Sequence, residues 1–245
     1  MIEFKGQVSA KCRKHIQKQE GKNYLFGITI ALIVVVIPIV NILIYCSILP
    51  WQHTVAIVAP ASLLIALISY FSAFEAYLSR LEQMLSMGFD YIELSNSGMV
   101  TLANPSLFRK YSLPTIQAAS KMIREAGQLS ELHCCGYAKD VVQACHDQTD
   151  IDSINPLQEP PMGDCVLSEI KKLYGDTLCL KGNVGVTNPL LFGTPEDVER
   201  DVIRCMDAAK ENGRFILFSE EGIGARTPVE NVEAYVRAAL RYGKY

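Results

Sequence analysis

Two kinds of hydrophobic pattern divide this chain. From Asn23 to Phe74 no Asp, Glu, Lys or Arg interrupts the sequence. Residues 24–49 are almost wholly apolar, and as a helix they would be long enough to cross a bilayer core of about 30 Å. Pro50-Trp51-Gln52-His53 reads as a turn, and a second apolar run follows over residues 54–74. Two such runs joined by a short turn predict a helical transmembrane hairpin, with a lipid bilayer as partner of residues 24–74. Residues 1–22 carry Lys5, Lys11, Arg13, Lys14, Lys18 and Lys22 against Glu3 and Glu20. Positive flanks stay on the cytoplasmic side, so both termini are expected there. A signal peptide fits less well, because its apolar core would be shorter and would have no second run behind it.

From residue 75 onward short apolar runs alternate with amphipathic stretches. Strands are expected over residues 91–94, 129–133, 151–154, 177–180 and 215–218. Helices are expected over 75–87, 105–126 with a kink at Pro114, 138–146, 165–174, 195–212 and 229–242. Thr194 followed by Pro195 is a helix-start signal. Five strands, each followed by a helix and none joined by a hairpin turn, predict an α/β fold with a parallel sheet, either barrel-like or doubly wound. No G-x-G-x-x-G follows any strand, which weakens the dinucleotide-binding version. The expected organisation is a basic segment over 1–22, the hairpin over 23–74 and an α/β domain over 75–245.

Charge and cysteine usage narrow the function classes. The 245 residues carry a net charge of −3, whereas a nucleic-acid binder would show a basic excess. Eight cysteines are spread along the chain, too sparsely for a disulfide framework, so reduced cytosolic thiols are expected.

In parallel α/β proteins chemistry collects at the carboxyl ends of strands. Here those ends supply Glu93 and Asn96, then His133-Cys134-Cys135-Gly136, then Asp152, Asn155 and Gln158, then Lys181 and Asn183, and last Ser219-Glu220-Glu221. The sharpest local signal is His133-x-Cys135-Gly136. Residues i and i+2 of an extended chain point to one face, so an imidazole and a thiolate can approach one ion. Zinc accepts that pair, and a catalytic zinc adds a third ligand and keeps an open position. Glu221 and Glu220 are the nearest acidic candidates for that ligand. The plainer reading is a buried imidazole beside two small thiols. Cys134 faces the other way and is expected to pack, and Cys145-His146 reads as a helix end.

Residues 77–245 resemble the carboxyl-terminal half of the uroporphyrinogen decarboxylase superfamily. The resemblance rests on Glu82-Gln-Met-Leu-Ser-Met-Gly88-Phe-Asp90, Pro105-Ser-Leu-Phe108, Leu132-His-Cys-Cys-Gly136 and Glu169-Ile-Lys-Lys-Leu-Tyr-Gly175. It continues through Lys181-Gly-Asn-Val184, Gly193-Thr-Pro-Glu-Asp-Val198, Gly213-Arg-Phe-Ile-Leu217 and Thr227-Pro-Val-Glu-Asn231. It implies a partial (β/α)8 TIM barrel of about five βα units. The His-x-Cys-Gly signature is similar to that of the zinc-dependent corrinoid methyltransferase branch. There it supplies two zinc ligands, and a cysteine shortly before Thr-Pro-x-Glu-Asn completes the site. Glu221 stands at that position here.

The resemblance thus implies zinc held by His133, Cys135 and Glu221, with methylcobalamin or another corrinoid as co-substrate and a thiol as methyl acceptor. The partner is then a small molecule or a corrinoid protein. Glu221 and Asp90 are the catalytic candidates, and Asn155 and Asn183 are expected to line the substrate pocket. Two alternatives stay open: uroporphyrinogen decarboxylase activity in porphyrin biosynthesis, and an inactive membrane-anchored remnant or fusion. A barrel with too few strands implies a second chain that completes it. The expected location is membrane-anchored with a cytoplasmic carboxyl-terminal domain, or cytoplasmic if the hairpin is a fusion artefact.

Overall fold

The computed structural model describes residues 51–244, with side chains given for Leu64 and from Leu67 onward. The basic segment 1–22 and the first arm of the expected hairpin, 24–49, lie outside the described residues. Helix α1 spans Trp51–Leu85 without interruption, so the helix expected over 75–87 is the last part of a longer one. The reason is local: no Gly or Pro stands between Ala61 and Leu85 to break it. The chain divides into two units after Tyr77, within this helix. Among the residues with described side chains, no helix is long and apolar enough to cross a membrane.

The second unit holds the α/β fold. Its strands are β1 (Tyr91–Ser95), β2 (Leu129–His133), β3 (Ser153–Asn155), β4 (Cys179–Val184) and β5 (Phe215–Ser219). All are parallel and lie in the order β1-β2-β3-β4-β5. The main helices between and after them are α2 (Leu113–Glu125), α3 (Lys139–Gln148), α4 (Leu167–Tyr174), α5 (Pro195–Ala209) and α6 (Val229–Tyr242). A strand order that never reverses is that of successive βα units in a barrel wall, whereas a doubly wound sheet reverses at its switch point.

The period-2 pattern of the strands separates the two faces of the sheet. Ile92, Leu94, Leu132, Ile154 and Leu180 are buried on the helix side, in one core with Ile116, Ile123, Val141, Val142, Ile170, Val198 and Val202. Each such side chain contributes roughly 1.5–3 kcal/mol on burial. The opposite face is mixed. Leu129 and Ile216 remain 54% and 44% exposed, while Glu131 is fully buried and accepts from Lys181 Nζ (2.7 Å), Tyr91 Oη (2.5 Å) and Ser153 Oγ (3.0 Å). Burial pushes the Glu131 carboxyl up, but these donors outweigh it and hold the group below its ordinary value.

Two expected elements change shape. The kink assigned to Pro114 falls just before it, as a wider π-helical turn over Phe108–Ser112, and Pro114 opens α2 where no intrahelical N–H is required. Strand β4 is longer than expected and carries Asn183 within it. At α5 the start signal holds: the Thr194 hydroxyl accepts from Asp197 N–H (3.3 Å), and the Asp197 carboxylate accepts from Thr194 N–H (2.8 Å).

Candidate metal centre

At the carboxyl end of β2 the extended backbone places His133 and Cys135 on one side. His133 Nε2 and Cys135 Sγ are 2.9 Å apart. Glu221 arrives from beyond β5: its Oε1 lies 3.7 Å from His133 Nε2 and accepts a hydrogen bond from the Cys135 thiol. One ligand atom from each of the three residues lies within 4.8 Å of those from the other two. The side chains of His133 and Glu221 are 20% and 37% exposed, so the group is reachable from solvent.

Neighbouring groups orient this trio. His133 Nδ1 donates to Asn155 Oδ1 (2.5 Å); this leaves the lone pair on Nε2, the nitrogen that faces Cys135 and Glu221. Ser97 Oγ lies 3.4 Å from Cys135 Sγ. The chain turns away at Gly136, where φ is +79° and an added Cβ would overlap the Thr101 hydroxyl. Gln158 Oε1 accepts the Gly136 N–H (2.6 Å) and holds the turn. Burial, and then the bond to the Glu221 carboxylate, push the Cys135 thiol up to about 11. A bound cation reverses that balance, since metal-ligating sulfur is thiolate. An N, S and O donor set on a partly open rim fits zinc with a free coordination position.

The remaining sequence candidates are placed differently. Asn155 is buried and engaged with His133, so it positions the imidazole. Asn183 is buried beside α5, where its amide donates to the Leu157 carbonyl (2.6 Å) and its Oδ1 accepts from Arg204 (3.2 Å). Asp90 precedes β1 and is exposed at the amino end of the sheet, so the structure does not bring it to the trio at the carboxyl ends. Cys134 is fully buried and its thiol is pushed up to about 12 by burial, in keeping with packing. Ser97 escaped the sequence reading because it follows β1, and only the pairing of β1 with β2 brings it near Cys135.

Comparison with known proteins adds the family context. Residues 70–242 match the family model described as uroporphyrinogen decarboxylase (URO-D). Two curated proteins, each named methylcobamide:CoM methyltransferase MtaA, come from Methanosarcina barkeri and its strain Fusaro / DSM 804. Both are 27% identical over 169 residues, which is 69% of this chain and 46% of the relative. This chain therefore spans about half the length of the curated relatives it matches. Among solved structures, a methyltransferase from Methanosarcina mazei superposes with a TM-score of 0.57 at 21% identity, covering 70% of this chain and 48% of that one. That likeness supports the fold.

Proposed function

The chain belongs to the uroporphyrinogen decarboxylase family, and from that premise we propose that it takes part in zinc-assisted methyl transfer from a corrinoid to a thiol. The observation that carries this reading is the convergence of His133, Cys135 and Glu221 within 4.8 Å at the carboxyl ends of parallel strands. The name of the M. barkeri relatives, methylcobamide:CoM methyltransferase, supports the same class of reaction.

The protein's own residues have separable tasks. His133 presents Nε2, with Asn155 fixing its tautomer and ring orientation. Cys135 and Glu221 bring two negative charges once the thiol is ionised. A zinc ion held there supplies Lewis acidity that favours the thiolate form of an acceptor thiol at neutral pH. In the transfer itself the methyl carbon bonds to the acceptor sulfur, the electron pair of the cobalt–carbon bond stays on cobalt, and the thiol proton leaves to solvent. Glu221 in place of a second thiolate makes the donor set harder and less electron-rich than two sulfurs would.

The test is zinc stoichiometry on the full chain. One equivalent is expected in the unaltered protein, and a loss of most of it in His133→Ala and in Cys135→Ala. Metal content that neither substitution changes overturns the proposal.

A further inference from the structure

Helix α6 is apolar on two faces, where a surface helix of a globular domain is apolar on one. Its inner face buries Ala234 and Ala238, and Tyr235 and Tyr242 pack against the core beside them. Its outer face carries Val229, Val236 and Leu240, which are 63%, 50% and 69% exposed. Spacings of seven and four residues stack these three in one row along the helix. Half-buried Val232 and Ala239 widen the row on one side. Single exposed apolar residues are ordinary, but a row that runs the length of a helix marks a contact surface.

On the other side of the row the charges are ordered. Glu230 and Glu233 stand in the first half of α6, Arg237 and Arg241 in the second, and Lys244 just beyond it, all of them exposed. Acid first and base last complements the helix dipole. It also makes the surface self-complementary in one orientation. When two such helices lie antiparallel about a two-fold axis, the acidic half of each flank meets the basic half of the other; laid parallel, like charges meet. Arg237 reaches Glu233 at 3.4 Å, and Arg241 reaches Glu199 of α5 at 3.5 Å. Such exposed pairs exchange partners at little cost.

We propose that the outer face of α6 pairs with the same face of a second copy of this chain, the two helices antiparallel. A lipid surface is the less suited partner, because a helix lying on a bilayer carries bases along its polar face, and here acids fill the first half. The 14 residues of α6 span about 21 Å. The contact is therefore at the small end of specific interfaces, and its dissociation constant is expected in the micromolar range. The surface does not rest on the methyl-transfer reading.

Sedimentation velocity of the full chain over a concentration series tests the proposal, with circular dichroism to check that each variant is folded. A shift from monomer to dimer with concentration is expected in the unaltered chain. Leu240→Glu sets a charge in the apolar row and should weaken dimerisation by at least about tenfold. Arg237→Glu combined with Arg241→Glu should weaken it too, as should Glu230→Arg combined with Glu233→Arg. An equimolar mixture of these two double variants should associate again, since each chain then carries one sign along its flank and its partner the other. The proposal is overturned by an unaltered chain that stays monomeric throughout the micromolar range, or by dimerisation undiminished in folded Leu240→Glu. It is equally overturned by double variants that dimerise as tightly as the unaltered chain, or by a mixture no tighter than its components.

Discussion

Asn155 shows how much one hydrogen bond can decide. Its acceptor oxygen commits the His133 proton to Nδ1 and leaves Nε2 free to coordinate. Asn155→Ala is expected to lower zinc affinity about 10–100-fold, measured by competition with a chromophoric chelator, while the folded circular dichroism spectrum persists. Glu131 makes a different prediction. Glu131→Gln leaves the Lys181 ammonium, only 17% exposed, without a countercharge, and should destabilise by about 3–5 kcal/mol in denaturant unfolding. Glu131→Gln combined with Lys181→Met should recover much of that. At this scale the sequence was partly legible. His133 and Cys135 could be paired because spacing along one strand fixes their common face. Asn155 reads as pocket lining because its real partner depends on the register of β2 against β3, where His133 pairs with Asn155, and no local pattern encodes that register.

At the scale of elements, helix starts were the clearest features. The Thr194-Pro195-Glu196-Asp197 start of α5 forms a full capping box, and Thr194→Ala should cost about 0.5–2 kcal/mol in thermal or chemical unfolding. The Thr194 backbone N–H, then its hydroxyl, hold the Asp197 carboxyl below its ordinary value. The stability this contributes is fully present above the ordinary carboxylate pKa of about 4 and is lost as pH falls through the lowered folded value. Unfolding curves of the unaltered chain and Asp197→Asn should therefore converge on acidification; curves that stay parallel across that window contradict the assignment. Strand ends were less legible than helix starts. The extension of β4 to Val184 rests on its pairing with β5 through Asn183 and Val184, a partnership that apolar runs do not announce. The same lack of a local signal hid the continuity of α1, since a change from apolar to charged residues alters what a helix faces without ending it.

For the molecule as a whole, an ion held by His133, Cys135 and Glu221 would be a cross-link. His133 ends β2, Cys135 lies just beyond it and Glu221 follows β5, with β3 and β4 between them in the sheet. A bound ion therefore joins parts of the sheet that otherwise communicate through two intervening strands. Because it would bind the folded chain, zinc at 100 times its dissociation constant should add about 2.7 kcal/mol of stability. The expected result is a raised melting temperature with zinc, reversed by chelator and absent in His133→Ala. An unchanged melting temperature in the unaltered chain would count against a folded-state site.

The two adjacent glutamates tie these scales together. Glu220 and Glu221 share one peptide bond, yet the first lines a cavity beside α5 and the second meets His133 and Cys135. By thermodynamic reciprocity, any ligand whose affinity depends on where one of these carboxylates sits would alter, and be altered by, a ligand of the other by the same factor.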